Sequence, residues 1–142
     1  MRGWWPLVAA NTVVAAASGA FGILALVRPG ALTGWAVEAG PSSTYFAAMY
    51  AVRAVPLALA VIAVAWRARP GTPGALMLVL AVAGAVQLGD VVVAVAESTP
   101  GAVGACVAAI VHLGSLALLV RRRHRMDATN RTASFASRSR RS

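Results

Sequence analysis

The sequence predicts an all-α integral membrane protein, a bundle of four transmembrane helices in up-down order, and three observations predict it. Residues of the set AVILMFWYC make up 59% of the 142 positions and charged residues only 12%, against roughly 25% charged in an average soluble domain. A soluble domain this small has a large surface for its volume and needs polar residues to cover it. The apolar residues fall in four stretches, each near the ~20 residues that a bilayer-spanning helix requires. The connections are short and leave no room for a soluble domain. The stretches are too long for barrel strands and lack their alternation. Cys106 is the one cysteine, which excludes a disulfide scaffold.

The first span is expected over 6–27. Pro6 suits the opening turn of a helix, where its missing N–H costs nothing. The apolar run continues well past the ~7–15 residues of a secretory signal, so this helix is read as retained. The second span is expected over 44–66, capped by Ser42 or Ser43 and closed by Arg67, Arg69 and Gly71. The third, over 76–96, and the fourth, over 103–120, each follow a threonine–proline pair, Thr72-Pro73 and Thr99-Pro100, which reads as a cap and a first helical residue. Residues 1–120 thus form one transmembrane domain. Gly19, Gly22, Gly84, Gly89, Gly104 and Gly114, with many alanines, read as close-packing positions.

Arginine placement sets the expected topology. Arg2, Arg67, Arg69 and the C-terminal arginines fall on one side, which the positive-inside rule makes cytoplasmic. Both termini are then cytoplasmic. Trp4, Trp5 and Trp66 belong to the inner interface, and Trp35 and Tyr45 to the outer one. The Leu32–Ala39 stretch around Trp35 is expected to lie flat in that outer interface. The chain has thirteen arginines and no lysine. With alanine and valine dominating, this usage points to a GC-rich bacterial genome and hence to the bacterial cytoplasmic membrane.

The net charge of +9 is concentrated in 121–142, which holds eight arginines and one acid, Asp127. Low hydrophobicity with high charge predicts a disordered cytoplasmic tail. Arg121, Arg122, Arg123 and Arg125 should meet anionic lipid headgroups at about 1 kcal/mol each. Nucleic acid is not an expected partner, since no folded module accompanies the charge.

Polar residues inside the spans carry the functional reading. Arg53 lies in the second span, Gln87 and Asp90 in the third, His112 in the fourth, and Asn11 and Ser18 in the first. An ionisable group near the bilayer centre costs roughly 2.5–3.5 kcal/mol or more without a partner or water. At 1.5 Å per residue, Arg53 and His112 lie about 15 Å from the outer ends of their helices and Asp90 about 10 Å. These depths let the three meet near the midplane or in the outer half, either as a ligand or proton site or with Arg53 and Asp90 as a neutralising staple that fixes helix packing. Tyr50 shares a face with Arg53, Gln87 with Asp90, and Ser115 with His112. Pro56 is expected to kink the second helix beside Arg53, either as part of a pocket wall or as one of the prolines that are common in membrane helices. One His, one Asp and one Gln do not make a zinc or iron set, so no metal is expected. No catalytic triad or phosphate loop is legible.

Three short motifs carry a family resemblance: Tyr50-Ala-Val-Arg53-Ala-Val-Pro-Leu-Ala-Leu, Gln87-Leu-Gly-Asp90 and His112-Leu. With the four-helix pattern they resemble the small bacterial DoxX-like group and the uncharacterised membrane families beside it, over roughly residues 5–120. The resemblance implies an up-down bundle with a buried Arg53, Asp90 and His112 cluster. Three functions are compatible. One is an accessory or small-ligand-binding membrane protein whose cluster holds a ligand or a helix of a partner membrane protein or second copy. Another is a subunit of an oxidoreductase acting on a quinone or other lipophilic substrate. The third is a small proton-coupled exporter, ranked last because the first span has no acid.

Overall fold

The computed structural model describes the backbone of residues 3–28, 41–99 and 101–139, with side chains up to residue 127 apart from 42 and 43. Among the described residues there are four helices and no strand: α1 Trp4–Val27, α2 Pro41–Arg67, α3 Gly74–Ala96 and α4 Gly101–Ser139. Each holds a segment long and apolar enough to cross a membrane, over Trp4–Val27, Thr44–Arg67, Gly74–Ala96 and Gly101–Asp127. The chain is a multi-pass membrane protein. Helix is the form these apolar runs must take in lipid, where every backbone N–H and C=O needs a partner within its own segment.

The helix ends differ in detail from expectation. Gly3 caps α1 in the left-handed region at φ 106°, and a Cβ there would lie 2.8 Å from Arg122 Nη2. The positive φ is what favours glycine at this position, since the Arg122 tip could swing aside. Ser42 and Ser43 do not precede α2; it begins at Pro41 and they lie inside its first turn. Thr72 does not cap α3, because Pro73 occupies the N-cap and no side chain bonds there. The Thr99 hydroxyl donates backwards to the Ala94 carbonyl at 3.3 Å, which also accepts the Thr99 backbone N–H at 2.8 Å, so Thr99 closes α3.

The largest departure is at the C-terminus. The tail expected to be disordered continues α4 without a break from Val120 to Ser139. No glycine or proline occurs after Gly114, and Arg, Ala and Met are good helix formers. Charge composition alone does not interrupt such a run. The Leu32–Ala39 stretch and residues 140–142 lie outside the described residues.

The helices assemble as two hairpins, α1–α2 and α3–α4, each packed over most of its length, with thinner α2–α3 and α1–α4 contacts. Small residues bring α1 onto α2. A Cβ on Gly19 would stand 2.9 Å from Ala58 Cβ, and one on Gly22 would stand 3.1 Å from Ala54 Cβ. Gly84 likewise receives Leu113 of α4. Gly89, Gly104 and Gly114, expected as packing positions, face open space.

The hairpins meet in only one half of the bundle. Trp4, Leu7, Val8, Val61, Leu76, Leu80 and Leu119 form a core at the arginine-bearing end. Beyond Gln87 no described residue of α3 is buried, and on α4 none is buried before Ala108. In that same half α1 and α2 still bury Gly22, Ala25, Ala47, Ala51 and Ala54 against each other. The α1–α2 hairpin therefore stays closed to its far end, while the outer turns of α3 and α4 are not covered by it.

Candidate functional site: polar links between two hairpins

Both thin seams carry a polar link. Across the α2–α3 seam the Arg53 guanidinium donates to Asp90 Oδ1 in an ion pair. The guanidinium also lies 5.7 Å from the centroid of the Tyr50 ring, one turn back. Tyr50 is fixed in turn by an edge-on contact with Phe21 of α1, centroids 6.1 Å apart. Asp90 is largely covered, with 16% of its side chain exposed, whereas Arg53 is 50% exposed. Asp90 stands one turn past Gln87, the last buried residue of α3. The pair thus marks the level at which the hairpins part.

Across the α1–α4 seam the link is neutral and fully enclosed. Asn11, with 0% exposure, donates from Nδ2 to the Leu7 carbonyl at 2.8 Å and to Ser115 Oγ at 2.7 Å. Both amide hydrogens are then committed, so Asn11 Oδ1 is the acceptor for His112 Nδ1 at 2.8 Å. The network fixes one role in the ring: His112 Nδ1 carries a proton and donates it to Asn11 Oδ1. His112 is itself 2% exposed.

Arg53, Asp90 and His112, which lie at similar depths on their helices, come to one place in the bundle. All three line a single cavity, together with Gln87 on α3 and Ser18 and Ala15 on α1. Its volume is about 10 Å³, which is what one water molecule needs. Small-ligand sites are typically ~300–1,000 Å³, so this cavity does not enclose an organic ligand. His112 turns its hydrogen bond toward Asn11 and not toward the ion pair, because the Asn11 amide offers an oxygen at the right depth on the facing helix. Tyr50 lies beneath Arg53 and not on the cavity wall.

Pro56 corrects a second expectation. It sits inside α2 but on an exposed face, and the wall at this level is made by Arg53, Ala54, Leu57 and Ala58. On the helix, Pro56 lies to one side of Arg53, and Ala54, Leu57 and Ala58 lie to the other, toward the neighbouring helices.

Asn11 is the functional candidate that the sequence left underweighted. Its signal was an amide in an otherwise apolar span, at a depth matching His112 when both are measured from the arginine-bearing ends. A second unanticipated link, Trp66 Nε1 donating to Thr12 Oγ1 at 3.1 Å, ties α2 to α1 near the same end. Among the described residues no group of three His, Cys, Asp or Glu side chains comes together.

No family model matches the chain, and no curated protein or solved structure matches it. The resemblance to the DoxX-like group therefore stands on the motifs around Arg53, Asp90 and His112 alone.

Proposed function

We propose that the chain is an accessory membrane protein of the bacterial cytoplasmic membrane that docks a helix of another membrane protein between its two hairpins, over the Arg53–Asp90 pair. The observation that carries this reading is the half-exposed Arg53 side chain at the floor of the region where α3 and α4 are uncovered. Arg53 lies nine residues into the span Thr44–Arg67, or about 14 Å deep at 1.5 Å per residue. A cation at that depth costs roughly 2.5–3.5 kcal/mol where it is not covered, and Asp90 covers only part of it. A partner helix offering a hydroxyl, amide or carbonyl would complete its hydrogen bonding. A two-fold homodimer centred here would set one Arg53 against the other, which favours a different chain as partner.

The small-ligand form of this reading is weaker, because the cavity is about 10 Å³. A quinone-type substrate could reach only the open side of Arg53, where the guanidinium could donate to a carbonyl. That is the DoxX-like alternative, and it requires a redox partner beyond this chain. The cytoplasmic placement of both termini is proposed from Arg2, Arg67, Arg69 and the C-terminal arginines.

The test compares complexes extracted from the native membrane in mild detergent. Wild type is expected to migrate with a second membrane protein. The neutral pair Arg53→Gln/Asp90→Asn, which keeps the seam uncharged, is expected to run alone. Equal complexes in both would sink the reading, and a co-purified quinone lost in the variant would replace it with the substrate reading.

A further inference from the structure

A second concavity lies at the arginine-bearing end, away from the polar links. Its volume is about 240 Å³, and Trp4, Trp5, Trp66, Ala65, Arg69 and Pro70 line it. The construction is asymmetric. Three indoles supply broad apolar walls, and one guanidinium stands at the edge. Trp5 and Trp66 form a tilted pair, with centroids 6.2 Å apart and ring planes at 60°. The Trp66 ring is held by its bond to Thr12, and Trp4 is buried in the core. The walls are therefore fixed, while exposed Trp5, Trp66 and Arg69 form the mouth.

Charge decides what fits. Arg67, Arg69 and the arginines at 121–125 belong to this end, and Asp127 is the one acid within 67–75 and 121–142. No described carboxylate pairs with Arg69. Neither Trp4 nor Trp5 gives its indole N–H to a described residue, so both are donors available at the wall. An occupant must carry an anion beside an apolar body, and it must be present at the edge of a bilayer. Tryptophan and arginine are the side chains that sit at headgroup level, and basic pockets on this side of membrane proteins take anionic headgroups.

We infer that the Trp4/Trp5/Trp66/Arg69 concavity is a binding site for one anionic phospholipid, with the phosphate on Arg69 and the glycerol and first acyl carbons against the indoles. The site is distinct from diffuse attraction to Arg121, Arg123 and Arg125, which needs no pocket. It does not depend on the docking of a partner at Arg53.

The experiment uses the full chain reconstituted in nanodiscs of phosphatidylcholine with phosphatidylglycerol, and counts lipids retained after release by native mass spectrometry. Quenching of tryptophan fluorescence by brominated phosphatidylglycerol gives a second readout, since three of the four tryptophans line the site. Wild type should keep one phosphatidylglycerol in preference to phosphatidylcholine. Arg69→Gln should weaken retention about fivefold, the equivalent of ~1 kcal/mol for one arginine near the surface. Arg69→Lys should recover most of it, and Trp5→Ala should lose it. Arg121→Gln/Arg123→Gln/Arg125→Gln should leave the one tightly held lipid in place. Equal retention of the two lipids overturns the proposal. So does loss of the bound lipid in the triple variant with no effect of Arg69→Gln, which would mean diffuse adsorption. Displacement by inorganic phosphate at matching concentration overturns it too, because the site would then be one for a free anion.

Discussion

Substituting Asn11 by leucine, nearly isosteric, isolates the closed link between the hairpins. Three contacts vanish with the amide: those to Leu7 O, Ser115 Oγ and His112 Nδ1. They are not equal. The Leu7 carbonyl keeps its ordinary helical bond. The Ser115 hydroxyl can turn back to a carbonyl one turn earlier in its own helix. His112 has no such escape, because its ring is buried at 2% exposure and its N–H is aimed at α1. The loss should therefore approximate one stranded polar group, about 1–3 kcal/mol. Hydrogen bonds between membrane helices average ~0.6 and reach ~1.7 kcal/mol when both partners can find substitutes, which places the expectation near 1–2. Removing both partners with apolar residues is close to neutral, so Asn11→Leu/His112→Phe should recover at least half of the loss. Unfolding in mixed micelles, followed by the fluorescence of Trp4, Trp5 and Trp66 at the arginine-bearing end, measures all three variants. If Asn11→Leu changes stability by less than about 0.5 kcal/mol, or if the two changes simply add, His112 does not depend on Asn11.

Further predictions follow from the same geometry. Asp90→Asn should destabilise the bundle, by less than the ~3–5 kcal/mol of a broken buried pair in soluble proteins because Arg53 is half exposed, and Arg53→Gln/Asp90→Asn should recover much of it in the same unfolding assay. Gly19→Ala should cost about 1–3 kcal/mol by overpacking, since its Cβ would meet Ala58 Cβ at 2.9 Å, and Ala58→Gly should relieve it. Gly89→Ala, with nothing within 4 Å, should be neutral or stabilise by up to ~1 kcal/mol through helix propensity; an equal loss at both sites would mean that the α1–α2 contact is wrong. Reporter fusions after residues 40, 70, 99 and 130 should read out, in, out, in, and a periplasmic signal at 70 or 130 would reverse the topology.

Helix number and span were legible because lipid imposes one rule on every backbone group, and apolar length expresses it directly. The meeting of Arg53 with Asp90 was legible for a related reason: depth counted from helix ends is set by a fixed rise per residue. Rotation about the helix axis was not legible. Ser115 was visible one turn from His112, yet nothing along α1 told Asn11 apart from Ser18 as the partner, and Pro56 was placed on the pocket side from spacing alone. The α4 boundary was misread because charge and hydropathy report where a helix leaves the membrane, not where it ends. Only glycine, proline or a capping motif reports the latter, and after Gly114 the sequence has neither glycine nor proline. Nor did composition foretell that the hairpins part beyond Gln87 and Ala108. Valine-rich turns look the same whether they face lipid or another helix.

The claim that a partner helix lies over Arg53 is tested most directly by a photo-activated cross-linking residue at Val52. This position is 73% exposed beside Arg53, and cross-linking is carried out in native membranes. Ile110, on the exposed face of α4, serves as the control position. Docking between the hairpins predicts a discrete adduct with one other membrane protein from Val52, absent from Ile110 and lost in Arg53→Gln/Asp90→Asn. Adducts with lipid alone at both positions would show that the half-exposed Arg53 side chain faces the bilayer, and the Arg53–Asp90 pair would then be a fastening between hairpins and nothing more.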